Sequence, residues 1–164
     1  MLFRSRDELE SFRGASVPDL VGPSTRVLFV GINPGLWTAA TQTHFCHPSN
    51  RFYPALRRAS LIDWEVDASV GMTDMQRADF TEKGFGITNI VNRATGRASE
   101  LSTLELRKGA SRLSGLISRV GPAVVAVAGV TAFRIAFGDP KAGLGPQRAA
   151  IGGAVVWVVP NPSG

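Results

Sequence analysis

Apolar residues follow two patterns along this chain. In Arg26 to Ile32, Ala123 to Ala128 and Ala154 to Val159 they run almost without interruption. Short continuous runs that are rich in β-branched residues and bounded by Gly and Pro predict strands buried on both faces. Elsewhere the period is helical. Leu106, Ala110, Leu113, Leu116, Ile117 and Val120 recur at three- and four-residue spacing. Ser102 to Glu105 has the capping-box pattern before them, and Gly121-Pro122 stops the helix after them.

Shorter helices are predicted over Arg6 to Phe12, from Phe52 to Ala59 with Ser49 and Asn50 as caps, from Thr73-Asp74 to Lys83, and from Thr131 to Phe137. Gly86 to Val91 reads as another strand. The stretch after Asn33-Pro34-Gly35 reads as an irregular loop to Pro48, and Ala142 to Arg148 as a Gly-containing loop. Arg148 to Val159 reads as two strands around a Gly152-Gly153 turn. Strands alternating with helices predict an α/β three-layer sandwich, with a central, mainly parallel sheet flanked by helices.

Composition bounds this picture. The 164 residues, 44% of them hydrophobic, suffice for one core, so a single domain over residues 1–164 is expected. The N-terminal segment has no continuous apolar stretch, which argues against a signal peptide or a membrane span. A soluble, cytoplasmic monomer with no membrane partner is expected, nucleoid-associated in a bacterium or nuclear in a eukaryote. The one cysteine, Cys46, excludes an internal disulfide and cannot furnish the thiolates of an iron–sulfur cluster. His44, Cys46 and His47 precede a proline with no second ligand cluster, so neither a metal nor another cofactor is expected. The net charge of +5 suits a polyanionic partner, although the same excess also serves solubility.

Candidate chemistry lies in the loops that leave strand ends, where ligands bind in open α/β sheets. Gly31-Ile-Asn-Pro-Gly35 follows the first core strand; its glycines allow a tight turn, and the Asn33 amide can hold a nucleophile in place without being a strong base. The same tripeptide also reads simply as a turn. Asn161-Pro-Ser-Gly164 ends the last strand, with Asn161 and Ser163 able to bond a phosphate or sugar. In Thr43 to Arg51, the Phe45 ring, a helix N-terminus near Asn50 and the Arg51 guanidinium suit a nucleotide. There is no nucleoside triphosphate loop, no dinucleotide glycine motif and no serine-hydrolase elbow.

Val30-Gly-Ile-Asn-Pro-Gly-Leu36, His47-Pro-Ser-Asn-Arg-Phe52, Gly86-Ile-Thr-Asn-Ile-Val-Asn-Arg93 and Trp157-Val-Val-Pro-Asn-Pro-Ser-Gly164 together resemble, in content, order and spacing, the mismatch-specific uracil/thymine-DNA glycosylase family of the uracil-DNA glycosylase superfamily. The resemblance implies a glycosylase that removes uracil, thymine or a modified cytosine from G·U or G·T mispairs in double-stranded DNA and so begins base-excision repair. It implies that Asn33 orients the attacking water and Phe45 stacks on the flipped base. Backbone N–H groups around Ile32 and Phe45, with Gly35 close by, would meet the pyrimidine. Asn161, Ser163 and Gly164, with Ser49 and Arg51, would hold the nucleotide and its phosphate.

Three departures are visible. Asn92 stands where some relatives carry a carboxylate, and Trp37-Thr-Ala-Ala40 replaces a run of small residues, with an expected effect on pocket width. The family's next apolar residue, arginine and helix, which fill the gap left by the flipped base, are not in the sequence. A mismatch-binding module with little catalysis is therefore the alternative expectation.

Overall fold

The computed structural model describes residues 4–163. Four parallel strands form the sheet: β1 (Val27–Gly31), β2 (Phe85–Asn89), β3 (Val124–Ala128) and β5 (Val155–Val159), with the two-residue β4 (Gly145–Pro146) antiparallel at one edge. The spatial order is β2-β1-β3-β5-β4. Sequence neighbours β1 and β2 lie side by side, and β3 returns to the other flank of β1. The carboxyl end of β1 is therefore the point where connections diverge, the position at which open α/β sheets bind ligands.

Helices α1 (Arg6–Glu10), α2 (Leu36–Thr41), α3 (Phe52–Arg58), α4 (Asp74–Glu82), α5 (Thr103–Val120) and α6 (Val130–Phe137) complete the α/β fold, with a 3-10 turn at Ala98–Glu100. On one face of the sheet, Leu28, Val30, Val125, Val127, Val156 and Val158 pack against Leu113 and Ile117 of α5 and Phe133 of α6. On the other, Ile87 and Phe29 pack against Phe52, Leu56 and Phe80 of α3 and α4. Burial of each large side chain is worth about 1.5–3 kcal/mol, so these two layers supply most of the stabilisation. The second layer stops short of β5, where Val155 and Trp157 remain exposed.

The capping box of α5 forms as expected: Ser102 Oγ accepts from Glu105 N–H at 3.1 Å, and Glu105 accepts from Ser102 N–H at 2.9 Å. Thr73 and Gln76 build a second one at α4. Three local expectations are corrected. Residues 36–41 form α2 rather than irregular loop; its Ala39 is buried against Val17 and Ala94, so tertiary packing carries a helix that lacks a side-chain cap. Arg148 to Ile151 is not a strand. Gly152 and Gly153 take φ of 55° and 85° and close only an Ile151–Ala154 bridge, while Gly145–Pro146 pairs with β5 instead. Proline is tolerated there because an edge strand needs no N–H on its outer side. At α3, Asn50 Oδ1 accepts the Phe52 N–H at 2.9 Å, whereas Ser49 turns to His47 and Arg51 occupies the cap position.

Candidate active site

A cavity of about 430 Å³ opens at the carboxyl ends of the four parallel strands. Gly31 to Gly35 comes from β1, Asn89 from β2, Ala128 from β3, and Asn161 and Ser163 from β5; the 44–50 loop and residues 95–98 close the sides. Among the described residues no carboxylate lines it, and Arg97 is the sole residue in the lining with a permanent charge. A ligand there meets amides, hydroxyls, backbone dipoles, two imidazoles and the Phe45 ring.

Asn33 is held by its nitrogen. Nδ2 donates to the Arg93 carbonyl at 2.9 Å, to Thr95 Oγ1 at 2.8 Å and to the Pro34 carbonyl at 3.2 Å. Thr95 spends its own hydroxyl proton on the Arg97 carbonyl at 2.7 Å. Carbonyl oxygens only accept, so the amide cannot be reversed without facing oxygen with oxygen. The outcome is a fixed Oδ1 with no donor among the described residues, a lone-pair acceptor at the cavity wall. Arg93 is itself anchored by two hydrogen bonds to Glu105, at 2.7 and 3.1 Å, and that guanidinium draws the Glu105 carboxyl down to about 2.

Phe45 adopts φ of 56°, a left-handed conformation costly for an aromatic residue. Its ring packs 4.2 Å from that of Phe52, centre to centre, and borders the cavity. The glycine at 31 is required by close approach: a Cβ there would lie 2.5 Å from Asn89 Oδ1 and 3.2 Å from the Phe45 ring. Among the described residues, neither the Ile32 nor the Phe45 N–H donates to a main-chain or side-chain acceptor.

Asn89 is a site residue to which the sequence reading gave no role. It is buried, and its Nδ2 donates to His44 Nδ1 at 3.0 Å. His44 Nε2 in turn donates to the Pro18 carbonyl at 2.8 Å, which fixes the neutral tautomer with Nδ1 as acceptor. Burial lowers the His44 pKa and so favours that neutral form. Asn89 Oδ1 is left facing Gly31 and Phe45. The available signal was a buried polar pair, Thr88-Asn89, at the carboxyl end of an otherwise apolar strand.

The remaining expected residues divide. Ile32, Asn33, Gly35, Phe45, Asn161 and Ser163 all line the cavity. Ser163 commits its N–H and hydroxyl to Asn161 Oδ1, at 3.0 and 2.6 Å, and Asn161 Nδ2 has no acceptor among the described residues. Arg51 lies outside the cavity, beside an apolar cleft that shares Phe45 and Asn161, and its N–H ties this loop to the Pro162 carbonyl at 3.1 Å. Ser49 is bonded to His47 Nδ1 at 2.8 Å and lines the cavity only through that partner. Gly164 lies outside the described residues. Asn92 Oδ1 accepts the Val17 N–H at 2.9 Å, a structural tie. Thr38 rather than Trp37 reaches the cavity; the indole donates to the Ala68 carbonyl at 2.7 Å.

The family model of the Uracil DNA glycosylase superfamily matches residues 18–164, which take in every strand and all of the cavity wall, and the chain belongs to that superfamily.

Proposed function

We propose that the protein is a monofunctional, mismatch-specific uracil-DNA glycosylase that hydrolyses the N-glycosidic bond of uracil opposite guanine, with thymine and modified cytosines as further substrates of the same cavity. The superfamily supplies glycosylase chemistry on uracil in DNA. The observation that carries the finer reading is Asn33, whose amide nitrogen is locked and whose oxygen has no donor among the described residues, in a cavity that none of their carboxylates lines.

The sugar carbon under attack cannot be reached inside a duplex, so the nucleotide must swing out, at a cost of a few kcal/mol that is least for a mispaired base. Once the base is seated against Phe45, the lone pair of Asn33 Oδ1 accepts a hydrogen bond from water and aims it at C1′. Bond breaking leaves positive charge on the sugar and negative charge on the pyrimidine. The unpaired N–H groups of Ile32 and Phe45 are preorganised donors for that charge, which in a site of fixed dipoles costs no reorganisation. Asn89 Oδ1 accepts from the N3–H of uracil or thymine and repels the N3 lone pair of cytosine. Asn161 Nδ2 holds the nucleotide backbone.

A neutral amide neither removes a proton from water nor supplies full charge to an oxocarbenium ion. Turnover is therefore slow, and weakly paired nucleotides are favoured before any base is read. No lysine lines the cavity among the described residues, consistent with hydrolysis rather than imine chemistry and strand cleavage. Base release from 5-fluorouracil, uracil and thymine opposite guanine tests this: rates falling in the order of leaving-group acidity support it, and equal rates contradict it.

A further inference from the structure

We infer that Asp19 and Arg112, neither of which borders the cavity, are positioning residues that set the aim of the Asn89 amide and hence the choice between uracil and cytosine; this rests on the base-reading role proposed for Asn89. Several independent groups converge on Asn89 and the end of β2. Arg112 of α5 donates through Nη2 to the Asn89 carbonyl at 2.5 Å and reaches the Ile90 carbonyl at 3.5 Å. Asp19 Oδ1 accepts the Thr88 hydroxyl at 2.6 Å, and its Oδ2 stands 3.9 Å from Arg112 Nη1. The residue before it, Pro18, receives His44 Nε2, and His44 receives Asn89 Nδ2.

Pro18-Asp19 thus grips the end of β2 twice, once through the Thr88 side chain and once through the His44 ring. Arg112 closes the third side on the main chain. A strand end normally leaves its last carbonyls to a turn or to solvent; here a cation from a helix on the opposite sheet face is spent on them. Charge-assisted hydrogen bonds to a carbonyl are directional and strong enough to hold a peptide plane. An amide that must tell a donor from an acceptor on the base needs such restraint, because a rotation that exchanges Oδ1 for Nδ2 would turn selection for uracil into selection for cytosine.

The test measures single-turnover excision and equilibrium binding for duplexes with uracil, and separately with cytosine, opposite an abasic analogue. The variants are Arg112→Met, Arg112→Lys and Asp19→Asn, each alone and combined with Asn89→Ala. The expected result is that Arg112→Met and Asp19→Asn lower the uracil-to-cytosine ratio by about tenfold while Arg112→Lys retains most of it. In the Asn89→Ala background the same changes leave the ratio unmoved. A variant that merely folds less well lowers both substrates together and keeps the ratio; that result overturns the inference.

A readout independent of catalysis is the side-chain amide resonance pair of Asn89 in the free protein. It should shift or broaden in Arg112→Met and Asp19→Asn while that of Asn33 stays in place, and an unchanged Asn89 pair contradicts the inference. Absence of base release from every duplex would refute the glycosylase reading while leaving this spectroscopic outcome to decide the positioning.

Discussion

At the cavity wall the two ends of the Asn33 amide differ: the nitrogen is anchored to three oxygens, and the oxygen has no donor among the described residues. Aspartate there would set a second oxygen against the Arg93 and Pro34 carbonyls, which disfavours the ionised form. Asn33→Asp is therefore expected to be slower than the wild type at neutral pH and to regain rate on acidification; a variant faster at every pH contradicts the anchoring argument. Gly31→Ala tests the close packing behind the base. With a Cβ 2.5 Å from Asn89 Oδ1, it should cost about 1–3 kcal/mol in stability and more than tenfold in rate, read by denaturant melts and single turnover. His44 gives a pH prediction. Burial lowers its pKa below the ordinary 6.5, so the unfolded chain binds the proton more readily, and the stability His44 contributes is lost as pH falls below that value. Melting temperature between pH 7 and 5 should drop more in the wild type than in His44→Gln; parallel curves would count against the neutral tautomer.

Among the elements, α5 was the most legible, and it braces the site from outside the cavity through Glu105 and Arg112. Its period and both caps were plain in the sequence because they are local. Its contacts with the end of β2 were not, since a Cβ on Gly109 would sit 2.2 Å from the Ile90 carbonyl only once helix and strand have met. Gly109→Ala should push that strand end aside and depress excision more than its effect on melting explains. Glu105 links the two levels: it caps α5 and holds Arg93, whose carbonyl holds Asn33. The four parallel strands were readable, three of them from their apolar runs. Helix α2 was not, because Gly35 caps it without a side chain and Thr38 and Thr41 are poor helix formers; burial of Ala39 decides it. The short β4 escaped notice because its pairing depends on where the chain returns, not on propensity. In the site, Asn33 and Asn161 stood out in strand-end turns and Phe45 as an aromatic in the polar segment between them, whereas Asn89 looked like part of a strand.

At the scale of the molecule, the four parallel strands deliver their carboxyl ends to one cavity, and the chain carries +5 to meet DNA. Phosphate contacts release counterions, so affinity should fall steeply with salt, and Arg97→Gln at the cavity edge should reduce the slope of log K against log salt by about one if it meets a phosphate. Asn33 is proposed to direct hydrolysis of a base flipped from a guanine mispair. The most direct measurement is single-turnover base release from duplexes carrying G·U, A·U and G·T, and from single-stranded uracil, by the wild type and by Asn33→Ala. Release should be fastest from G·U and fall about a hundredfold or more in Asn33→Ala, with duplex binding retained. Equal rates for the two proteins, or no release from any duplex that the wild type binds, would contradict it.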